Sequence, residues 1–252
     1  PENLAHAKRT GKDPKELIIS NIDKLGCLPH WLGNKGYVSH QSGKWWEGPY
    51  QRGGFTEGMT LGYPNPGGRH GDDGLKIGRQ GMEPVFDFID RSVKQEKPFF
   101  VWYAPFLPHT PHNPPERLHK KYLAKGVQSR VAQYYAMCEW FDETCGALIN
   151  HIDQAGISED TLVIYVTDNG WIQTEQGGYG PRSKRSPYEG GTRNPIMFRW
   201  KGTISPADRS ELCSSLDFVP TVLAAAGTKG PHDFPGLNLL PQLKSGKKIK
   251  RD

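Results

Sequence analysis

The chain has 252 residues, of which 35% are hydrophobic and 23% charged, and 32 Lys and Arg against 27 Asp and Glu give a formal net charge of +5. This composition excludes a disordered chain and suffices for one large α/β domain with a substantial core. The charge is too small to point to nucleic acid, and no run of 18 apolar residues offers a transmembrane helix.

Asp13-Pro14 reads as the N-cap and first residue of a helix that Leu17, Ile18 and Leu25 carry to about Cys27. Leu28 to Gly36 is a short helix closed by glycine. Tyr37 to His40 is a strand leading into Gly43-Lys44-Trp45-Trp46. From Pro49 to Gly81 glycines are frequent and periodicity is lost, which predicts a long surface excursion. Within it, Asp72-Asp73 reads as a turn or N-cap, not a metal site. Val85, Phe86, Phe88 and Ile89 make Glu83 to Lys94 an amphipathic helix. The aromatic-rich run Pro98 to Ala104 is a buried strand, followed by the rigid loop Pro108-His109-Thr110-Pro111-His112.

The longest helix spans Ser129 to Gln154, with an apolar stripe of Val131, Tyr135, Cys138, Phe141, Cys145, Leu148 and Ile152. Leu162 to Val166 is a strand expected to be buried on both faces. It ends in Asp168-Asn169-Gly170, where the glycine permits a positive φ and a turn. Ile196 to Trp200 is a further strand, and Leu212 to Ala226 a helix ended by Gly227. The basic run Lys244 to Arg251 reads as a solvated, frayed tail. Strands alternate with helices, so the expected architecture is an α/β sheet packed on both faces. The four cysteines, Cys27, Cys138, Cys145 and Cys213, have no zinc-type spacing and read as structural thiols.

Four polar features stand out along the chain. Asp168 and Asn169 bring two hard oxygen donors to a strand's C-terminal end, where open α/β sheets bind ligands and where Ca²⁺ or Mg²⁺ finds its preferred donor type. His109, held between prolines, suits a general acid or base. Lys44, between a strand and a glycine-containing loop, suits an oxyanion or is a surface charge. Lys184, within Arg182-Ser-Lys-Arg-Ser-Pro-Tyr-Glu-Gly-Gly191, sits in a basic cluster of the kind that is usually a solvated loop.

Taken in order, these stretches resemble the type I, formylglycine-dependent sulfatases of the alkaline phosphatase superfamily. The matching stretches are Gly43-Lys-Trp45, Pro98-Phe-Phe with Pro108-His-Thr-Pro111, and Thr161 to Gly170. Lys184 leading to Tyr188-Glu-Gly-Gly-Thr-Arg-Asn-Pro195 and Ser215 to Leu223 complete the set, and the similarity runs from about Leu28 to Gly227.

The resemblance implies an alkaline phosphatase-like mixed sheet with helices on both faces and a sulfatase that cleaves a sulfate ester to an alcohol and inorganic sulfate. It implies one divalent cation, Ca²⁺ or alternatively Mg²⁺, with Asp168 and Asn169 among its ligands. Lys44, His109 and Lys184 match residues that bind sulfate oxygens and assist the leaving oxygen. The substrate would be a small sulfate ester or a sulfated glycan, and the location periplasmic, secreted or lysosomal. Two departures stand out. The family's GKWH reads Gly43-Lys44-Trp45-Trp46, and an indole N–H donates but is no base. The C/S-x-P/A-x-R motif that yields formylglycine is absent: Cys27-Leu-Pro29 is followed by His30-Trp31, so Cys27 is rejected as the nucleophile. The expectation is a catalytic domain over 1–240 that is N-terminally incomplete, its formylglycine and first-strand Asp ligands lying upstream, plus a basic tail over 241–252. The alternatives are a phosphodiesterase or phosphonate monoester hydrolase of the same superfamily, and a relative that binds sulfated glycans without hydrolysing them.

Overall fold

The computed structural model describes residues 9–11, 13–65, 72–230 and 233–251, and these belong to two compact units, 1–106 and 107–252. In the first unit, helix α1 is Pro14–Ile19. The Asp13 carboxylate caps it by accepting from the Lys15 N–H (2.7 Å), as the sequence predicts. The helix does not continue to Cys27; it tightens into a 3-10 turn, Ser20–Lys24. Ile18 and Leu25, which suggest the longer helix, are exposed, so no buried apolar face sustains it.

Helix α2, Leu28–Gly33, leads into strand β1, Val38–Gly43. The Pro49–Gly81 excursion is more regular than expected where it is described. It supplies 3-10 turns at Tyr50–Gly53 and Asp73–Lys76 and a two-residue strand β2, Glu57–Gly58; residues 66–71 lie outside the described set. Asp72 is a cap, accepting from the N–H groups of Gly62 (2.8 Å) and Gly74 (2.9 Å). Helix α3, Glu83–Lys94, has the bounds read from its periodicity, and strand β3 is Phe99–Ala104. The sheet is parallel, in the order β2-β1-β3, with β1 and β3 in register from Val38 opposite Phe99 to Gly43 opposite Ala104. Val85, Phe88 and Ile89 of α3 are buried, and Phe88 lies against His40 (ring centres 5.2 Å apart) and Phe99 (6.2 Å).

The most deeply buried strand is the polar one. Ser39, His40, Gln41 and Ser42 of β1 are all buried. Three of them have hydrogen-bond partners, which burial of polar groups requires. Ser39 exchanges bonds with Thr56, its N–H donating to Thr56 Oγ1 (2.7 Å) and its Oγ accepting from the Thr56 N–H (3.1 Å). Gln41 accepts from the Thr60 N–H (3.1 Å), and the Ser42 hydroxyl donates to the Trp102 carbonyl (3.3 Å). By contrast β3, expected to be buried, is only half-buried, with Trp102 42% exposed.

In the second unit, helix α4, Glu116–Leu123, packs against the long helix α5, Ser129–Gln154, whose predicted bounds hold. The predicted stripe does not: its only buried member is Ile152, and Ala132, Ala136, Met137 and Thr144 are buried instead. The helix is used on two sides, so no single stripe defines its buried face. Tyr135, Glu139 and Glu143 meet Tyr122, Lys121 and Arg117 of α4, while Phe141 faces Tyr165 (5.9 Å). Strand β4, Val163–Val166, pairs antiparallel with β5, Ile196–Arg199; helix α6, Glu189–Thr192, is the short element between them. β4 is not buried on both faces as predicted. Among the described residues β5 is its only pairing neighbour, and Val166 is 42% exposed.

The predicted helix from Leu212 begins later. A 3-10 turn, Ser215–Asp217, feeds helix α7, Phe218–Ala225, because Ser214 and Asp217 form a reciprocal cap that fixes the start. The basic tail is anchored, not frayed. Helix α8, Leu240–Ser245, buries Leu243, and the Arg251 guanidinium binds the fully buried Asp217 carboxylate at 2.5 Å. Asp217 also accepts from the N–H groups of Ser214 and Leu237 (both 2.8 Å). Burial alone would raise its pKa, but these three donors outweigh it and hold the carboxyl below its ordinary value. A depressed carboxyl contributes stability above the unfolded-state pKa of about 4 and loses it as pH falls through the lower native value. Thermal unfolding should therefore show the native protein losing stability below about pH 4. Arg251→Ala should lower Tm at neutral pH and flatten that acid loss; an unchanged profile would mean that the Arg251 pair contributes nothing.

Candidate active site

In the first unit, the end of β1 holds Lys44 by its backbone. Gly43 has φ 87°, and a Cβ there would lie 1.8 Å from the Ala104 carbonyl oxygen, so only glycine fits. The Gly43 carbonyl accepts from Thr60 Oγ1 (2.8 Å) and Gln41 Nε2 (3.0 Å). The Lys44 N–H donates to Ala104 O (2.6 Å), and its carbonyl accepts from the Trp102 indole (3.1 Å). Its ammonium lies 5.9 Å from the centre of the Phe106 ring. Trp45 packs edge-on against Phe55 (5.3 Å) and Trp102 (6.5 Å), whereas Trp46 is half-buried and its N–H donates to Glu47 (2.9 Å).

In the second unit, three loops come together. His109 is half-buried on the first, with Nδ1 2.9 Å from the Thr110 carbonyl. A carbonyl only accepts, which places a proton on Nδ1 and makes Nε2 the nitrogen that takes up or delivers a second one. The second loop is Asp168-Asn169-Gly170 after β4. Asp168 is exposed; the Asn169 amide N–H donates to Gly170 O (2.9 Å), which leaves the amide oxygen as its donor atom for a cation. Gly170 is not in the left-handed conformation expected of it. It is required by close approach: its N–H donates to Gly191 O (2.9 Å), and a Cβ would lie 2.0 Å from Gly190 O.

The third loop carries Lys184, and it is not the plain solvated loop that its composition suggests. Arg182 (φ 56°) and Arg185 (φ 63°) both take left-handed conformations, each of which costs about 1–2 kcal/mol in a residue with a side chain. Between them Ser183 is fully buried, its Oγ accepting from the Ile172 N–H (2.8 Å) and its carbonyl from Ser186 Oγ (2.7 Å). The Lys184 ammonium then sits 5.4 Å from the centre of the Trp171 ring. Trp171 is the hub that sequence reasoning misses. Its ring meets Tyr179 (5.0 Å), Tyr134 of α5 (6.2 Å) and His112 of the His109 loop (6.4 Å), and its indole donates to Gln173 (3.0 Å). An aromatic directly after Asp-Asn-Gly is the one available signal.

This arrangement brings Lys184 and His112, three residues after His109, to one aromatic cluster that follows directly on Asp168-Asn169-Gly170 in the chain, and an ammonium there suits binding an anionic ester. The donor chemistry of Asp168 and Asn169 fits a hard divalent cation. Their number does not complete a shell, since Ca²⁺ takes about six to eight oxygens. Among the described residues no group of three or more His, Cys, Asp and Glu could hold a metal. No cysteine has the environment of a nucleophile. Burial, then the Glu47 charge, raises the Cys27 pKa; burial also raises Cys138 and pushes Cys145 and Cys213 up to about 11.

A family model described as Sulfatase matches residues 5–228. The human N-acetylgalactosamine-6-sulfatase is 30% identical over 98% of this chain and 53% of its own length. Human arylsulfatase A is 32% identical over 64% of this chain and 32% of its own length. A solved structure described as a complex with its substrate D-glucosamine-2-N,6-O-disulfate is 19% identical, with a TM-score of 0.69, covering 89% of this chain and 65% of that one. The shared fold is the mixed α/β, alkaline phosphatase-like architecture expected from the sequence. The chain spans about half the length, or less, of the curated relatives it matches.

Proposed function

The chain belongs to the sulfatase family, and from that premise we propose that the whole protein hydrolyses a sulfate ester to an alcohol and inorganic sulfate. The observation that carries this reading is the seating of Lys184 and the His109 loop around Trp171, beside Asp168 and Asn169. As the S–O bond to the alcohol breaks, negative charge builds on the bridging oxygen. His109, through Nε2, delivers a proton to that oxygen, and the Lys184 ammonium stabilises its charge and that of the sulfate oxygens. Lys44, in the first unit, matches a family residue that binds sulfate oxygens, a role an ammonium suits. Asp168 and Asn169 would contribute two oxygen ligands to a divalent cation, Ca²⁺ or Mg²⁺, which when bound polarises the sulfate. The formylglycine motif has no match here, so no nucleophilic step is assigned to these residues. A small sulfate ester or a sulfated glycan is the proposed substrate, and a periplasmic, secreted or lysosomal location suits such substrates; among the described residues no helix is long and apolar enough to cross a membrane.

The test is to offer the whole protein an aryl sulfate and a phosphate diester, and to measure sulfate and phosphomonoester release. Sulfate release at a kcat/KM well above diester cleavage is the expected result. Faster diester cleavage would assign the site to phosphoryl chemistry, and sulfated-glycan binding without turnover would make the protein a lectin-like relative.

A further inference from the structure

Beside the Trp171 cluster, the second unit holds a cavity of about 210 Å³. It is too large for a single ion and lies below the roughly 300–1,000 Å³ of drug-sized sites, a size that suits part of one substituted sugar. Its walls come from three elements: Thr110 and His112 from the His109 loop, Arg130 and Gln133 from α5, and Gln173 and Gly177 from the loop after β4. Among the described residues two amides, a hydroxyl and an imidazole line it, with one guanidinium and no carboxylate. The rim is preformed. Thr174 Oγ1 donates to Gly177 O (2.6 Å), and Gln173 and Tyr179 pair across the turn. Gly177 (φ 97°) takes the left-handed conformation that this turn requires and that favours glycine.

The cavity is one residue removed from both proposed catalytic groups. Thr110, in its wall, supplies the carbonyl that holds His109 Nδ1. Gln173, also in its wall, accepts from the indole on which Lys184 sits. We infer that this cavity is a specificity subsite for a second anionic substituent, a sulfate or a carboxylate, on the sugar whose sulfate ester is cleaved. This rests on the sulfatase reading and adds a substrate class to it: doubly anionic saccharides. Arg130 reads the charge, because a guanidinium presents a planar fork of donors to two oxygens at once. Gln133 and Gln173 take ring hydroxyls, and the His112 imidazole in the wall supplies a flat face for the sugar's C–H groups.

The experiment compares wild type with Arg130→Gln in the whole protein. The substrates are a singly sulfated hexosamine, a disulfated hexosamine and a singly sulfated uronic acid; the last two separate sulfate from carboxylate as the second anion. Arg130→Gln should lower the preference, the ratio of kcat/KM for a doubly over the singly anionic sugar, by about tenfold or more, mainly through KM. Arg130→Lys should recover part of it. An equal loss on all three sugars, or no loss, overturns the subsite. A thermal-shift titration with the disulfated hexosamine keeps this separate from the catalytic reading. If no ester is hydrolysed the sulfatase reading falls, and the subsite stands only if the sugar raises the wild-type Tm more than that of Arg130→Gln.

Discussion

Lys184→Ala is expected to lower kcat on a sugar sulfate by about 10²-fold or more, with a much smaller change in KM, and His109→Ala to do the same. The reason is where the charge develops. A bound sulfate ester already carries its negative charge, but the bridging oxygen becomes anionic only as the S–O bond breaks, so a group aimed at that oxygen acts mainly in the transition state. The Lys184 side chain, to which we assign this role, is held in place at some cost: two neighbouring arginines are left-handed, Ser183 is buried, and the ammonium is seated over Trp171. The leaving group decides between proton delivery and simple binding. An aryl alcohol of low pKa needs little help, so a variant lacking the proton donor should lose far less on 4-nitrophenyl sulfate than on a sugar sulfate. Steady-state kinetics on both substrates measures it. Equal losses on the two would make the residue a sulfate-binding group, and full activity in either variant would remove that residue from the mechanism.

Gly43→Ala should destabilise the protein by about 3 kcal/mol or more, from a left-handed backbone (about 1–2 kcal/mol) and an overlap that forces the packed sheet to shift (about 1–3 kcal/mol). The overlapping atom is the Ala104 carbonyl oxygen, 1.8 Å from where the alanine methyl would lie, and it cannot swing aside because it accepts from the Lys44 N–H at 2.6 Å. The same displacement would carry Lys44 with it, so activity should fall with stability. Gly33→Ala is the control: its site is open, its φ is not in the left-handed region, and it lies at a helix end, so its effect should stay within about 0.5 kcal/mol. Denaturant unfolding of the two variants gives the comparison. A Gly43→Ala protein as stable as wild type would mean that β1 and β3 separate easily at this end.

The sequence by itself determined the two longer helices with recognisable periodicity or caps, Glu83–Lys94 and Ser129–Gln154, and the motifs that place Lys44, His109, Asp168 and Asn169 in the segments after strands and Lys184 in a loop. Those features are local: periodicity, a cap or a glycine is readable within a few residues of chain. What only the tertiary structure decided is which surfaces are buried and what each polar group meets. β1 looks too polar for a core strand, and it is buried because Thr56 and Thr60, 17 and 19 residues further on, satisfy Ser39 and Gln41. The Leu162–Val166 run looks like a core strand, and it is half-exposed because one strand pairs with it among the described residues. Arg251 reads as part of a frayed tail, yet Asp217, 34 residues earlier, lies buried beneath it and holds it. Trp171 gives only the weak local signal of an aromatic after Asp-Asn-Gly, because its role lies in joining Tyr134 of α5, His112 of the His109 loop, and Tyr179 and Lys184 of the loop after β4. Hydrogen-bond satisfaction and ring packing are relations that the fold makes between side chains, and hydrophobic periodicity does not report them.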